Sequence, residues 1–269
     1  MNEEKMIASK DGTKLRLRKD AVENPKALIV IAHGLCEHLN RYDYFTRKLN
    51  ENGYSVYRYD QRGHGKSEGK KVFYSDFNEM PDDADVFVNL AREESNGKKV
   101  FLFGHSMGGE TVALYGTKYP GKVDGIITSG ALTHYNNPLM GDKLPIDAPV
   151  DTYVSNSLGN GVCSDLKVID AYINDPLVEK QISVGLINQI YKGVQWLKDN
   201  VENFIDSVLI LHGANDGLVS VKDSLEFYEE IKSNDKSLRI YANLFHEILN
   251  EPCKDEIIND ILLWLGKHN

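Results

Sequence analysis

A serine hydroxyl becomes a useful nucleophile only when a neighbouring base takes its proton and the turn carrying it leaves the oxygen accessible. Gly104-His105-Ser106-Met107-Gly108 has the G-x-S-x-G spacing of such a turn. Gly65-Lys66-Ser67-Glu68-Gly69 has it too, so spacing alone does not choose between them. The flanking residues do. Val100-Phe101-Leu102-Phe103 reads as a buried strand running into Ser106, and Gly109 to Tyr115 as a helix that opens on small residues. Glycine at 104 and 108 lets strand and helix close on each other where side chains would clash. Ser67 has no strand before it and is followed by Glu68-Gly69-Lys70-Lys71. Ser106 is therefore the expected nucleophile. Gly65-Lys66-Ser67 also matches the end of a phosphate-binding loop, but the glycine required five residues before Gly65 is Asp60.

On a strand-turn-helix scaffold of this kind the chain order is serine, then a carboxylate, then histidine. Of the eight histidines, His134, His212, His246 and His268 follow Ser106. His134 comes too early, His268 lies beyond the final helix, and His212 precedes a glycine at a strand end, where the acid belongs. His246, in Leu244-Phe245-His246-Glu247 after the last strand, is the expected general base. Asp216, just past the strand that ends in Leu211-His212-Gly213, is the expected carboxylate. The other place for it, one strand earlier in 129–138, contains no Asp or Glu. The tetrahedral intermediate needs two backbone N–H donors, and Leu35 and Met107 are the expected pair. Cys36, beside Leu35, reads as a packed thiol. His246-Glu247-Ile248-Leu249-Asn250 lacks the second histidine of a zinc-hydrolase motif, so neither a metal nor another cofactor is expected. Dehalogenase chemistry wants a carboxylate where Ser106 stands.

The elements that position these residues follow from periodicity. Lys5–Ser9 and Lys14–Arg18, separated by Asp11-Gly12, predict a hairpin. Strands are expected at Ala27–Ala32, Ser55–Tyr59, Lys99–Phe103, Val123–Thr128, Ser207–Leu211 and Leu238–Tyr241. Helices are expected at Arg41–Asn52, from Pro81 to Glu94, and at Met107–Lys118, Ser220–Ile231 and Asp255–Leu265. This alternation implies right-handed crossovers and a mostly parallel sheet covered on both faces. Residues 134–203 break the rhythm. They open with a stretch holding Pro138, Gly141, Pro145 and Pro149. They end in a helix with Ile182, Leu186, Ile190 and Val194 at helical spacing. That stripe suits packing against the sheet. The expected organisation is one core, 1–133 with 204–269, and an insertion, 134–203, packed over one edge of the sheet.

A chain of 269 residues with 41% hydrophobic content can bury a substantial core. Its net charge of −9 argues against nucleic acid and against strong attraction to anionic membranes. Cys36, Cys163 and Cys253 form no CxxC pair and read as reduced thiols. No signal-peptide pattern or membrane-spanning run is visible, so a cytoplasmic protein is expected.

Taken together, His33-Gly34-Leu35-Cys36-Glu37-His38 with Arg41-Tyr42, Asp60-Gln61-Arg62-Gly63-His64-Gly65-Lys66-Ser67 and Gly104-His105-Ser106-Met107-Gly108-Gly109 resemble the monoacylglycerol lipase and lysophospholipase family. These are α/β-hydrolases of the hydrolase-4, serine aminopeptidase S33-like type. Asn174-Asp175-Pro176-Leu177, His212-Gly213 with Asp216, and His246-Glu247 with Asn250-Glu251 fit the same family in the same order. The resemblance implies an α/β-hydrolase fold and a cap that forms a tunnel for an acyl chain. It also implies that Glu37 and Arg41 shape the pocket near the oxyanion loop, that His105 lies near the head group, and that Asp60, Arg62 and His64 scaffold the site. The implied reaction is hydrolysis of monoacylglycerols or related single-chain lipid esters through an acyl-enzyme. The cap helix could touch lipid transiently, without electrostatic help from an acidic chain. The same scaffold also serves short-chain or aromatic-acyl esterases, thioesterases, lysophospholipases and aminopeptidases. A ligand-binding sensor is the non-enzymatic alternative, and it would be expected to have a damaged triad.

Overall fold

The computed structural model describes residues 2–137, 141 and 143–269. The chain begins as a hairpin, β1 (Asn2–Ala8) against β2 (Lys14–Asp20), with Ala8 opposite Lys14. From there strand and helix alternate. β3 (Ala27–Ala32) leads through a short 3-10 turn at Leu39–Tyr42 into α1 (Asp43–Glu51). β4 (Tyr54–Tyr59) precedes α2 (Glu79–Glu94), and β5 (Val100–His105) runs into α3 (Met107–Lys118). β6 (Gly125–Ser129) is followed by the irregular region, which holds β7 (Tyr153–Ser155), α4 (Leu166–Asn174), β8 (Gln181–Ser183) and α5 (Val184–Asn200). β9 (Val208–Gly213), α6 (Val221–Glu230), β10 (Lys236–Tyr241) and α7 (Lys254–His268) complete the chain.

The main sheet has the order β1-β2-β4-β3-β5-β6-β9-β10. β2 pairs antiparallel with β1 and with β4, and every pairing from β4 onward is parallel. β3 and β5 are buried along their whole length, which explains why they read as continuous apolar runs. Alternate residues point to opposite faces. Val30 and Leu102 meet Phe87 of α2, Val112 of α3 and Phe227 of α6 on one face. On the other, Ile29, Ile31, Phe101 and Phe103 meet Phe45 of α1 and Ile257, Ile261 and Leu265 of α7. Each such side chain contributes about 1.5–3 kcal/mol of burial.

This is the mostly parallel, helix-flanked sheet expected from the sequence. The helix expected at 41–52 begins instead as the 3-10 turn, and the last strand starts two residues earlier than its apolar run. The stripe on α5 proves to be divided. Leu186, Val194 and Leu197 join the core beside α3, whereas Ile190 also reaches the cavity described below. Gly141, Pro145 and Pro149 lie outside regular elements, and Pro138 falls outside the described residues. Among the described residues, no helix is long and apolar enough to cross a membrane.

Because the strands are parallel, the loops after β3, β5, β6, β9 and β10 gather at one edge of the sheet. Ligands of open α/β sheets bind at that edge.

Candidate active site

Ser106 sits between β5 and α3 with φ 57° and ψ −119°, a backbone region costly for a side-chain-bearing residue. The glycines around it are there for space. A Cβ on Gly104 would overlap the Gly108 carbonyl, one on Gly108 would overlap the Ala32 carbonyl, and one on Gly109 would lie 2.5 Å from the Ala131 Cβ. Met107 opens α3, so its N–H has no partner within the helix and points toward the anion-favouring end.

His246 lies in the loop after β10 and is buried. Its Nδ1 is 2.6 Å from Asp216 Oδ2. Burial would lower the His246 pKa, but the Asp216 carboxylate outweighs it and raises the pKa. Burial would raise the Asp216 carboxyl, yet the His246 and His212 imidazoles hold it well below the usual carboxylate range. The ionised carboxylate makes Nδ1 the protonated nitrogen and leaves Nε2 free to accept a proton. Asp216 Oδ1 accepts from the Leu218 and Val219 N–H groups, both at 2.9 Å, which fixes its plane.

Ser106, His246, Leu35, Met107, Glu37 and His105 line one cavity of about 600 Å³, counting the part open to solvent. The rest of its wall is mainly apolar: Leu132, Leu158, Val162, Tyr172, Ile190, Leu218 and Val219. Such a mainly apolar wall suits hydrocarbon.

A family model of the serine aminopeptidase S33 type matches residues 23–253. The chain belongs to this S33 family. The monoacylglycerol lipase of Mycolicibacterium smegmatis is 30% identical over 256 residues, 91% of this chain and 90% of its own length. Human monoglyceride lipase is 30% identical over 254 residues, 90% of this chain and 83% of its own. The crystal structure of the Paleococcus ferrophilus monoacylglycerol lipase matches with a TM-score of 0.82 at 30% identity, over 95% of this chain and 99% of its own. The S33 chain is thus a hydrolase with an α/β-hydrolase fold.

Arg41 does not line the main cavity of this S33 hydrolase; it lies behind it, between two carboxylates. It binds Glu37 Oε2 at 2.7 Å and Glu247 through two contacts of 2.5 and 2.8 Å, under the Tyr172 ring. Glu37 Oε1 accepts from Tyr42 OH at 2.6 Å and from the Gly34 N–H at 2.5 Å. Burial would raise the Glu37 carboxyl, but Arg41 holds it down to about 2. Its two oxygens brace the loop that carries Leu35. His105 packs on His246 with ring centroids 4.6 Å apart, and its Nδ1 is 3.0 Å from the Ser129 carbonyl. Burial first and His246 second push the His105 pKa down to about 3, so the ring stays neutral.

Asp60 accepts from the Leu39 and Lys66 N–H groups at 2.8 and 2.9 Å, and His33 Nε2 accepts from the Gln61 N–H at 2.9 Å. These bonds tie the loop after β4 to the loop after β3. His64 is buried against His33, with ring centroids 5.4 Å apart. Arg62 holds Asp83 of α2 by two bonds of 2.8 Å. Cys36 is fully buried, and burial pushes its thiol above the usual range, which leaves it protonated and packed.

In the sequence His212 is set aside as a base and is joined to Asp216 only through the family resemblance. In the structure its Nε2 is 3.1 Å from Asp216 Oδ2, the oxygen that also meets His246, and its Nδ1 is 2.7 Å from Ser224 Oγ. The spacing His212 to Asp216 across a strand end could have suggested this contact; nothing local predicted Ser224.

Proposed function

We propose that the chain is a monoacylglycerol hydrolase in which Ser106, His246 and Asp216 form the catalytic triad. The observation that carries this reading is a strained serine turn opening, beside a histidine–aspartate pair, into an apolar cavity. In the proposed reaction, His246 Nε2 takes the Ser106 proton as Oγ attacks the ester carbonyl. The Leu35 and Met107 N–H groups receive the oxyanion. Collapse of the intermediate passes the proton from His246 to the leaving glycerol oxygen and leaves an acyl-serine. Water, deprotonated by His246, then attacks the acyl-serine, and a fatty acid departs as Ser106 regains its proton.

The apolar wall supports an acyl-chain substrate, as does the similarity to monoacylglycerol lipases at 30% identity. Residues 134–203 act as the cap in this reading, with Leu158, Val162, Tyr172 and Ile190 roofing the cavity. Aminopeptidase activity would need a free carboxylate to hold a substrate ammonium. Glu37 is not free, since Arg41, Tyr42 and the Gly34 N–H occupy both of its oxygens. A cytoplasmic location is part of the proposal, resting on the sequence.

The test is fatty-acid release from monoacylglycerols of graded chain length, lysophosphatidylcholine, p-nitrophenyl esters and an aminoacyl amide, by wild type and Ser106→Ala. The expected outcome is an optimum on monoacylglycerols with medium or long chains that disappears in the variant. Equal rates from acetyl to dodecanoyl glycerol would rule out the acyl-chain reading. Full activity in Ser106→Ala would rule out the nucleophile.

A further inference from the structure

Asp223, in the first turn of α6, is fully buried and is not part of the triad. Its carboxylate is wrapped by the loop that follows β6. Oδ2 accepts from the N–H groups of Thr133, His134 and Tyr135 at 3.1, 2.9 and 2.9 Å. Oδ1 accepts from the backbone and side-chain nitrogens of Asn136, both at 3.0 Å. Successive N–H groups that converge in this way form an anion-binding nest, and here the anion is a side chain of the same molecule. Tyr135 takes φ 61° within this wrap. The same face of α6 grips the loop twice more. Glu226 accepts from Asn136 Nδ2 at 2.7 Å, and Glu230 is 2.9 Å from His134 Nε2. Positions 223, 226 and 230 share that face by helical spacing.

The wrapped loop is in contact with the reaction centre. A Cβ on Gly130 would lie 3.1 Å from His246 Nδ1, and Leu132, Tyr135 and Asn137 line the cavity. The loop is also where the chain leaves the sheet to enter residues 134–203. One carboxylate thus sets the position of the cavity wall and the departure of the chain into the proposed cap.

We propose that Asp223 is a positioning residue for acyl-chain selection, acting through the loop 130–137. The proposal deepens the monoacylglycerol reading and rests on it. Removing the carboxylate empties the nest, and the N–H groups of the loop then turn toward water. The wall residues Leu132 and Tyr135 move with them. Binding of a long chain suffers, whereas a short ester that needs only the triad and the oxyanion donors is spared.

The experiment compares kcat/KM for dodecanoyl glycerol and p-nitrophenyl acetate in wild type, Asp223→Ala and the double variant Glu226→Ala/Glu230→Ala. In Asp223→Ala the long-to-short ratio is expected to fall by roughly ten- to a hundred-fold, carried by KM. Added sodium formate, which can fill the nest with a carboxylate, is expected to restore part of that ratio, whereas sodium chloride at the same ionic strength is not. If Asp223→Ala does not fold, the double variant decides, with a smaller fall in the same ratio expected. A ratio equal to that of wild type in a folded variant overturns the proposal, as does a fall on both esters alike that formate leaves unchanged. A wild-type ratio near one, with activity lost in Ser106→Ala, sinks the acyl-chain reading itself and takes this inference with it.

Discussion

The same five-residue pattern occurs twice in this chain, and the two copies are built in opposite ways. Around Ser106 the serine takes the positive φ, and Gly104 and Gly108 are needed because backbone presses on them. Around Ser67 the flanking glycines take the positive φ, 50° at Gly65 and 105° at Gly69, and the serine does not. Ser67 Oγ is spent on structure: it donates to the Asp60 carbonyl at 2.5 Å and accepts from the Arg16 N–H at 2.8 Å. Ser106 opens into a cavity; Ser67 closes a loop onto the hairpin. What distinguishes Ser106, the proposed nucleophile, is therefore the strand and helix that force its backbone, together with the cavity it shares with His246. The motif alone is a spacing that a stable turn can also adopt.

That contrast can be broken most sharply at the two hydroxyls. Ser106→Ala should lower kcat by on the order of 10⁵–10⁶, whereas Ser67→Ala should leave kcat within about threefold of wild type. Equal losses in steady-state ester hydrolysis would show that the two turns are not distinct in function. The next effect belongs to the partner that only one of the serines has. Asp216→Asn should lower kcat by about 10⁴-fold, because the amide favours the wrong tautomer of His246. The proposed base must be neutral to work, and its pKa is raised by Asp216. The acid limb of kcat/KM in wild type should therefore lie above the ordinary histidine value of about 6.5 and move to lower pH in this variant. A limb that stays in place would mean the Asp216 charge does not act on the titrating group.

Smaller effects fall on stability. Gly108→Ala drives a methyl into the Ala32 and His33 carbonyls and should cost about 3 kcal/mol or more, read by denaturant unfolding. Ser67→Ala removes both bonds of a buried hydroxyl and should cost about 1–3 kcal/mol. Its thermal midpoint should fall by about 2–8 °C with the kinetics intact. A Gly108→Ala protein as stable as wild type would mean that the close approach at the serine turn is not needed to hold the sheet against α3.

How much of this was legible beforehand follows from the same distinction between local pattern and distant partner. Val100–Phe103 and Ala27–Ala32 declared themselves because strands buried on both faces must be apolar throughout. Ser106, Asp216 and His246 were expected from their order along the chain, since each follows its own strand; the structure puts Asp216 against His246 and Ser106 in the same cavity as His246. Periodicity on α5 revealed a face but not what it faces, so Ile190 in the cavity and Val194 in the core looked alike. Glu37 was expected to shape the pocket, and the contacts that occupy it come from Tyr42, Arg41 and a backbone N–H. Asp223 gave no signal, because its partners at 133–136 are about ninety residues away and are mostly backbone, which every sequence has.

The Glu37–Arg41–Glu247 bridge has a consequence for how the protein comes into being. Its first two members are made about two hundred residues before Glu247, which emerges beside His246. Until then the loop that carries Leu35 lacks its far anchor, and Ser106 lacks its proposed base. In the proposed reading a nascent chain therefore gains its base and its loop anchor together, when the loop after β10 docks.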